Sequence, residues 1–469
     1  MIFISHAWEY KFLAVLIALK YHFRDKPNVV LWFDIFTVNQ HKTATYDFSW
    51  WSTTFKSAIA SFGHTVMVLA PWQNPLPLTR SWCLFELWST VDTKSNFEVA
   101  MSESEIDQFL KDICEDTEES VNKMLGTIDV SKSEAFHKVY EQQIKAAVEN
   151  SVGFGNLNMV VFKQLRSWMV KTVQNRLDSS PVDSPDYEKL AAALGELFRH
   201  RGQYQKAELK LMEALERRRN TLGDRHADTL ASFRMLGNLY VRMGNCEKAM
   251  EFCQAAYEGC NQVLGEDHKE TLKSIVCMGN LHYTKKEYDT AISYYDRAFE
   301  GRKRVLGETH ADTIKTLSNL ANCYKQRKDY DAAVPLYERA LDRWQHALGG
   351  NHPDTLAAMC NLANLHRSKK EYDAAERNYS ACRAGRMIVL GAKHSKTLEV
   401  SAYLAECLRN QSRIEEALSL AKATRAELLA IDRGADDTIK YCEDTIQRCE
   451  LVEQRVMVYL FSTEFEFES

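Results

Sequence analysis

Apolar residues recur along this chain with two different periods, and the change from one to the other divides it. Over residues 1–175 short apolar runs alternate with helix-period stretches. Residues 1–5, 29–33 and 65–70 read as strands, while 12–23 and 50–60 read as helices. Another helix opens near Arg80, acidic amphipathic helices that pack on the sheet fill 98–150, and a further helix covers 160–176. Such alternation predicts a parallel sheet with crossover helices, whose ligands sit at the carboxyl ends of the strands.

From residue 184 onward one pattern repeats. Leu222-Gly223-x-x-His226 recurs from Leu264, Leu306, Leu348 and Leu390, each 42 residues after the last. The same interval carries Ala207, Ala249, Ala291, Ala333, Ala375 and Ala417, and also Gly195, Gly237, Gly279, Ala321, Ala363 and Ala405, so six units are present. Within one unit Leu230, Phe233, Leu236 and Tyr240 share a face of a first helix, and Ala249, Cys253 and Ala256 stripe a second. Each unit is therefore a helical hairpin, and the small residue at the 237 position predicts close helix approach.

The Leu-Gly pairs predict glycine caps that end each second helix. Asp228-Thr229, Asp312-Thr313 and Asp354-Thr355 offer side-chain oxygens to start the next. The five joint histidines sit one per hairpin, far beyond the roughly 2 Å bonds of a shared zinc, so they read as structural and no metal site is expected.

The 42-residue interval with its LGxxHxxTL joint resembles the tetratricopeptide family, in its kinesin light chain subtype, over residues 184–432. That resemblance implies an all-α solenoid that holds other proteins. The coiled-coil heptads of a motor light chain are missing and the N-terminal region differs, so a motor subunit is not expected. If the first helices line the concave face, as in the family, Asn238, Asn280, Asn322 and Asn364 form a ladder of amides suited to an extended peptide backbone. The competing reading has them satisfy local groups between hairpins. Arg234, Arg242, Lys273, Lys315, Lys325 and Arg367 share that face, a mildly basic track that suits an acidic linear motif.

In the N-terminal region the predicted strand ends read Ser5-His6-Ala7-Trp8, Asp34 with Asn39-Gln40, and Pro71-Trp72. Beyond them lies Ser81-Trp82-Cys83-Leu84-Phe85-Glu86-Leu87, which resembles the SxWCLxEL segment of plant immune Toll/interleukin-1 receptor (TIR) domains, as Phe3-Ile4-Ser5 resembles their first strand. The resemblance implies a TIR or flavodoxin-like α/β fold acting in signalling or self-association. In catalytic members the glutamate matching Glu86 supports cleavage of the nicotinamide–ribose bond of NAD, with Trp82 one turn earlier as a pocket wall. Residues 36–48 lack the glycine-containing loop of those enzymes. The competing reading makes Glu86 a helix-surface carboxylate. His6 and Asp34 read as structural, since no nucleophile is placed beside them.

Composition narrows the function classes. Hydrophobic residues make up 45% and charged residues 26% of 469, a soluble globular balance, and the net charge of −5 gives no basic field for nucleic acid. Twelve cysteines without a CxxC pair read as buried thiols in a reducing compartment. No basic-apolar leader and no apolar run of about 18 residues is present, so a cytoplasmic location without membrane contact is expected. Walker, GxGxxG and HExxH motifs are absent, and no cofactor is required.

The expected organisation is an α/β domain with helical extension at 1–177, a linker at 178–186, six hairpins at 187–432, a capping helix at 433–460 and a tail at 461–469. Two functions fit it. One is a scaffold whose array binds proteins through linear motifs; the other is an NAD glycohydrolase, NAD being substrate, switched on when the array clusters the N-terminal domains.

Overall fold

The computed structural model describes the chain apart from residues 8, 27, 34–47, 127, 129–132, 136–137, 152, 185, 431–435 and 465–469. Trp8, Asp34, Asn39, Gln40 and most of the 36–48 segment thus lie outside the described residues. By compactness the chain divides into Met1–Ala255 and Ala256–Ser469, and the 178–186 run falls inside the first unit.

The first unit opens with a parallel four-stranded sheet of order β2-β1-β3-β4, made by β1 (Ile2–Ser5), β2 (Leu31–Trp32), β3 (His64–Val68) and β4 (Asn96–Ala100). Alternation along the strands sorts the faces. Ile4, Val66 and Val68 pack with Val15, Ala18 and Leu19 of α1 (Phe12–His22), while Phe3 packs with Phe55 and Ile59 of α2 (Phe48–Phe62). The second strand is shorter than the sequence suggested: only Leu31 and Trp32 pair, opposite Ile2 and Phe3.

Strand β4 lies within the acidic stretch read as helical. Its Glu98 breaks the apolar alternation, yet the structure holds that carboxylate between His22 at 3.0 Å and His64 at 3.6 Å, with Lys171 at 3.5 Å. Hydrogen bonds to the two imidazoles hold its carboxyl far below the usual carboxylate range. Four helices follow α3 (Ser81–Asp92): α4 (Glu103–Glu115), α5 (Thr117–Gly126), α6 (Lys138–Ser151) and α7 (Phe154–Ser179). Val161, Leu165, Met169, Val173 and Leu177 form a fully buried i,i+4 stripe on α7.

Six hairpins then run from α8 to α19 among the described residues: α8 (Tyr187–His200) with α9 (Tyr204–Leu222), α10 (Ala227–Met243) with α11 (Cys246–Leu264), α12 (Lys269–Thr284) with α13 (Tyr288–Leu306), α14 (Ala311–Gln326) with α15 (Tyr330–Leu348), α16 (Pro353–Ser368) with α17 (Tyr372–Leu390), and α18 (Ser395–Asn410) with α19 (Ile414–Ala430). A last helix, α20 (Asp436–Glu464), packs on α19 and α18. The alanines at 207, 249, 291, 333, 375 and 417 are all fully buried, as their recurrence requires. At Gly279 an added Cβ would lie 2.7 Å from the Tyr295 ring, so the two helices of this hairpin meet closely there.

Hairpin ends follow the expected stop chemistry but not the expected start. Gly223, Gly265, Gly307, Gly349 and Gly391 take φ between 81° and 87° after each second helix, a region open to glycine. The start cap, however, is the histidine and not the Asp-Thr pair. His226, His268, His310, His352 and His394 each have extended backbone, and Nδ1 accepts the backbone N–H two residues on, at 3.1–3.2 Å. The aspartates fall two residues past the cap position and lie in the first turn, where their charge suits the helix dipole. Thr229, Thr313 and Thr397 are buried instead. No helix among the described residues is long and apolar enough to cross a membrane.

Candidate functional site

In the second unit three asparagines of the predicted ladder are held the same way. Tyr295 of α13 donates its hydroxyl to Asn280 Oδ1 at 2.6 Å, and Tyr379 of α17 does so to Asn364 Oδ1 at 2.6 Å. Tyr337 of α15 likewise donates to Asn322 Oδ1. Burial pushes the Tyr337 and Tyr379 phenols up, so they remain donors at any physiological pH. With each oxygen occupied by a phenol, the amide's remaining hydrogen-bonding capacity includes its two Nδ2 hydrogens. Those of Asn280 and Asn322 meet no partner among the described residues, whereas Asn364 Nδ2 makes a 3.8 Å contact with Cys360 Sγ. Asn238, in the first unit, is half-buried and lacks such a phenol, because Cys253 stands where the tyrosine would be.

The basic track is less uniform than the sequence suggested. Arg367 donates to Glu406 at 2.6 Å and to the Tyr441 hydroxyl of α20, and its guanidinium lies 4.6 Å over the Tyr403 ring. Lys273 is paired with Glu270 at 3.4 Å. Lys315 is half-buried on α14. Lys325 is half-buried with no ion-pair partner among the described residues, and burial together with the Arg367 charge pushes its pKa down. In the first unit, Arg234 adds its charge to the buried Glu196–Arg199 pair; burial would raise the Glu196 carboxyl, but Arg199 at 2.8 Å holds it low. Arg242 is exposed at the end of α10. Sequence reasoning missed the tyrosines at 295, 337 and 379, although they recur with the same 42-residue interval.

At the carboxyl end of the N-terminal sheet, Glu86 is only 6% exposed. Ser5, the last residue of β1, donates to Glu86 Oε2 at 2.5 Å. The helix-surface reading of Glu86 therefore does not hold: the side chain points from α3 at the strand end. Trp82, one turn earlier, stacks edge-on with Phe55 at 5.6 Å and Phe85 at 5.9 Å, within the apolar layer under α2. His6 is buried edge-on against Phe33, and its carbonyl accepts from the Cys83 thiol at 3.3 Å. A cavity of about 340 Å³ lies elsewhere, against Glu98, His22, Trp168 and Lys171.

A tetratricopeptide repeat family model matches residues 188–262, 270–343 and 316–387. The hairpins over residues 188–387 are tetratricopeptide repeats. No curated protein sequence matches the chain. Among solved structures, the chain is similar to a Podosopora anserina protein assigned as a kinesin light chain with nearly identical TPR-like repeats, at 20% identity over 44% of this chain and 97% of that one, with a TM-score of 0.39. It is similar to a signal-transduction ATPase of the STAND class with a tetratricopeptide repeat sensor from Pyrococcus horikoshii, at 10% identity over 99% and 94%, with a TM-score of 0.50. A Rap protein solved with competence and sporulation factor matches at 11% identity over 76% and 99%, with a TM-score of 0.44. Repeats of this kind form protein-interaction scaffolds, each hairpin adding one register of side chains to a shared face.

Proposed function

We propose that the tetratricopeptide array binds an extended segment of another protein along the face that carries Asn280, Asn322 and Asn364, and that Lys325 and Arg367 favour carboxylates in that segment. One observation carries this reading: tyrosines take the asparagine oxygens, leaving the Asn280 and Asn322 amide hydrogens without partners and spaced by one repeat. An extended backbone supplies carbonyls that accept from such donors. Lys325 adds a cation whose charge is costly to keep half-buried beside Arg367 until an anion arrives.

The test is a peptide-display screen against the full chain, followed by anisotropy titrations of the selected peptides. Asn280→Ala with Asn322→Ala should weaken binding at least tenfold, and Lys325→Ala should weaken acidic peptides selectively. Asn322→Asp retains an acceptor for Tyr337 while deleting the amide donor, so it separates binding from hairpin stability. Unchanged affinity in all three would remove the ladder from the account.

The N-terminal module fits a TIR-like role in self-association. Its α1 leaves Phe12, Leu13, Leu16 and Ile17 between 40% and 67% exposed on one side of the helix, an apolar face suited to a like module. Leu13→Glu with Ile17→Glu should lower the mass measured by light scattering if that face pairs copies.

A second reading is favoured by the burial of Glu86 at the strand end: NAD glycohydrolase activity raised by clustering. A carboxylate there would stabilise the positive charge that develops on the ribose as nicotinamide leaves. Nicotinamide release by artificially clustered wild type, lost in Glu86→Gln, would support it. Release that persists in the variant rejects Glu86 as the catalytic group, and no release at any clustering favours the scaffold alone.

A further inference from the structure

Two thiols in the fifth hairpin stand apart from the other cysteines by their placement. In an antiparallel hairpin each step forward on one helix is matched by a step back on the other. Asn364 of α16 meets Tyr379 of α17, and Leu356 of α16 closes on Gly385 of α17 so tightly that an added Cβ would lie 2.4 Å from Leu356 Cδ2. Cys360 lies midway between those contacts on α16, and Cys382 lies midway between them on α17. Both are buried in the same apolar cluster, at 7% and 0% exposure. Cys382 has one S–H and two acceptors in reach, the Leu356 carbonyl at 3.2 Å and the Cys360 sulfur.

We propose that Cys360 and Cys382 are an oxidisable dithiol that closes into an intrachain disulfide across the fifth hairpin. A disulfide requires a narrow Cα separation, and the glycine at 385, with the buried alanines at 363 and 375, keeps bulk out of this hairpin's helix–helix contact. The neighbouring hairpins lack the pair: Ser318 and Ala340 occupy the same two places one repeat earlier.

Cys360 is the attacking sulfur. The hydrogen bond from Cys382 draws its pKa below the ordinary thiol range to about 7, against burial, with the Arg386 and Lys325 charges adding to the effect. With a hydroperoxide as oxidant, the Cys360 thiolate forms an S–O bond as the O–O bond breaks and hydroxide leaves. The Cys382 sulfur then displaces hydroxide from the Cys360 sulfenic acid. Each thiol loses one electron and one proton, two of each in total, and hydrogen peroxide ends as two waters. Since Asn364 Nδ2 rests on Cys360 Sγ, closure moves the sulfur off a groove amide, a consequence that rests on the groove reading while the bond itself does not.

The experiment is mass spectrometry of the full chain after graded hydrogen peroxide, with free thiols alkylated before non-reducing digestion. The expected product is a peptide pair joining Cys360 to Cys382, reversed by dithiothreitol, while the buried Cys277 and Cys323 keep the alkyl label. Cys360→Ser and Cys382→Ala install the residues already found one repeat earlier, so both fold, and each should abolish the link. The proposal is overturned if both thiols stay alkylated at doses that modify other cysteines. It is equally overturned if either joins a different cysteine, or if Cys360 goes to sulfinic acid without the link.

Discussion

Tyr295 and Asn280 are fifteen residues apart on facing helices, and the phenol donates to the amide oxygen at 2.6 Å. The same pair of residue types repeats as Tyr337 with Asn322 and Tyr379 with Asn364, so each is a small hinge pin inside its hairpin and a clamp on the amide's orientation. Removing one hydroxyl with Tyr295→Phe keeps the ring packing and loses one hydrogen bond, a cost of about 1 kcal/mol. Urea unfolding followed by circular dichroism should register that loss. Peptide affinity should fall as well, because the freed amide can turn its oxygen toward the guest. A variant with unaltered stability and unaltered affinity would show the bond to be idle.

Buried arginines tie successive hairpins together. Arg302 of α13 donates through Nη1 to the Asp312 carbonyl at 2.9 Å and to Thr316 Oγ1 at 2.7 Å, both on α14. Arg218 binds Asp228 O and Ser232 in the same way, and Arg386 binds Lys396 O. The intervening units place Cys260 and Trp344 there. Arg302→Met fills much of the same volume but removes two hydrogen bonds from a charged donor, a cost of about 3 kcal/mol. Because a stacked-hairpin array unfolds by neighbours, the loss should appear locally. Hydrogen exchange in the first turn of α14 should speed up roughly a hundredfold. Equal exchange in mutant and wild type would refute the staple.

The turn inside every hairpin carries a left-handed residue, and its identity changes along the chain. Gly202 and Gly244 occupy it first, then Lys286, Lys328 and Lys370, and Ser412 last, all with φ between 63° and 74°. A residue with a Cβ pays for that conformation and glycine does not, a difference of about 1 kcal/mol per site. Replacing the three lysines by glycine should therefore raise the melting temperature, against the usual effect of adding glycine. A lowered melting temperature in the triple variant would mean that the lysine side chains contribute more than the backbone strain removes.

Much of this architecture could be read from spacing, and the exceptions have specific causes. The alanines at one interval gave the second-helix stripe because a buried small residue admits no substitute where helices touch. The histidine caps were hidden because Asp and Thr are the commoner capping types; the choice is made by backbone extension at His226 and its equivalents, which spacing does not encode. Strand β4 was hidden by Glu98, whose charge is acceptable mid-strand only because His22 and His64 come from distant segments. The asparagine face was legible, but not the tyrosines that orient it, since the donor lies on the opposite helix. Glu86 was legible as a motif, and its burial against Ser5 was not, because helix position alone cannot tell which side of α3 meets the sheet.

The joint histidine of the last hairpin should make the array acid-sensitive. His394 is 6% exposed and accepts the Lys396 N–H through Nδ1, a bond that protonation destroys. Burial, helped by the Lys396 and Arg386 charges, lowers its pKa from 6.5 to about 4. A group depressed in the folded state stabilises fully above its unfolded pKa and progressively less as pH falls toward the folded value. Stability from this site should accordingly be intact above about pH 6.5, fall between 6.5 and 4, and level off below, by up to about 3 kcal/mol. His394→Asn preserves a side-chain acceptor for the cap without a titrating group. Its melting temperature should lose less than the wild type's between pH 7 and pH 5, with other groups contributing equally to both. Parallel pH profiles for the two proteins would show that His394 is not the acid-sensitive element.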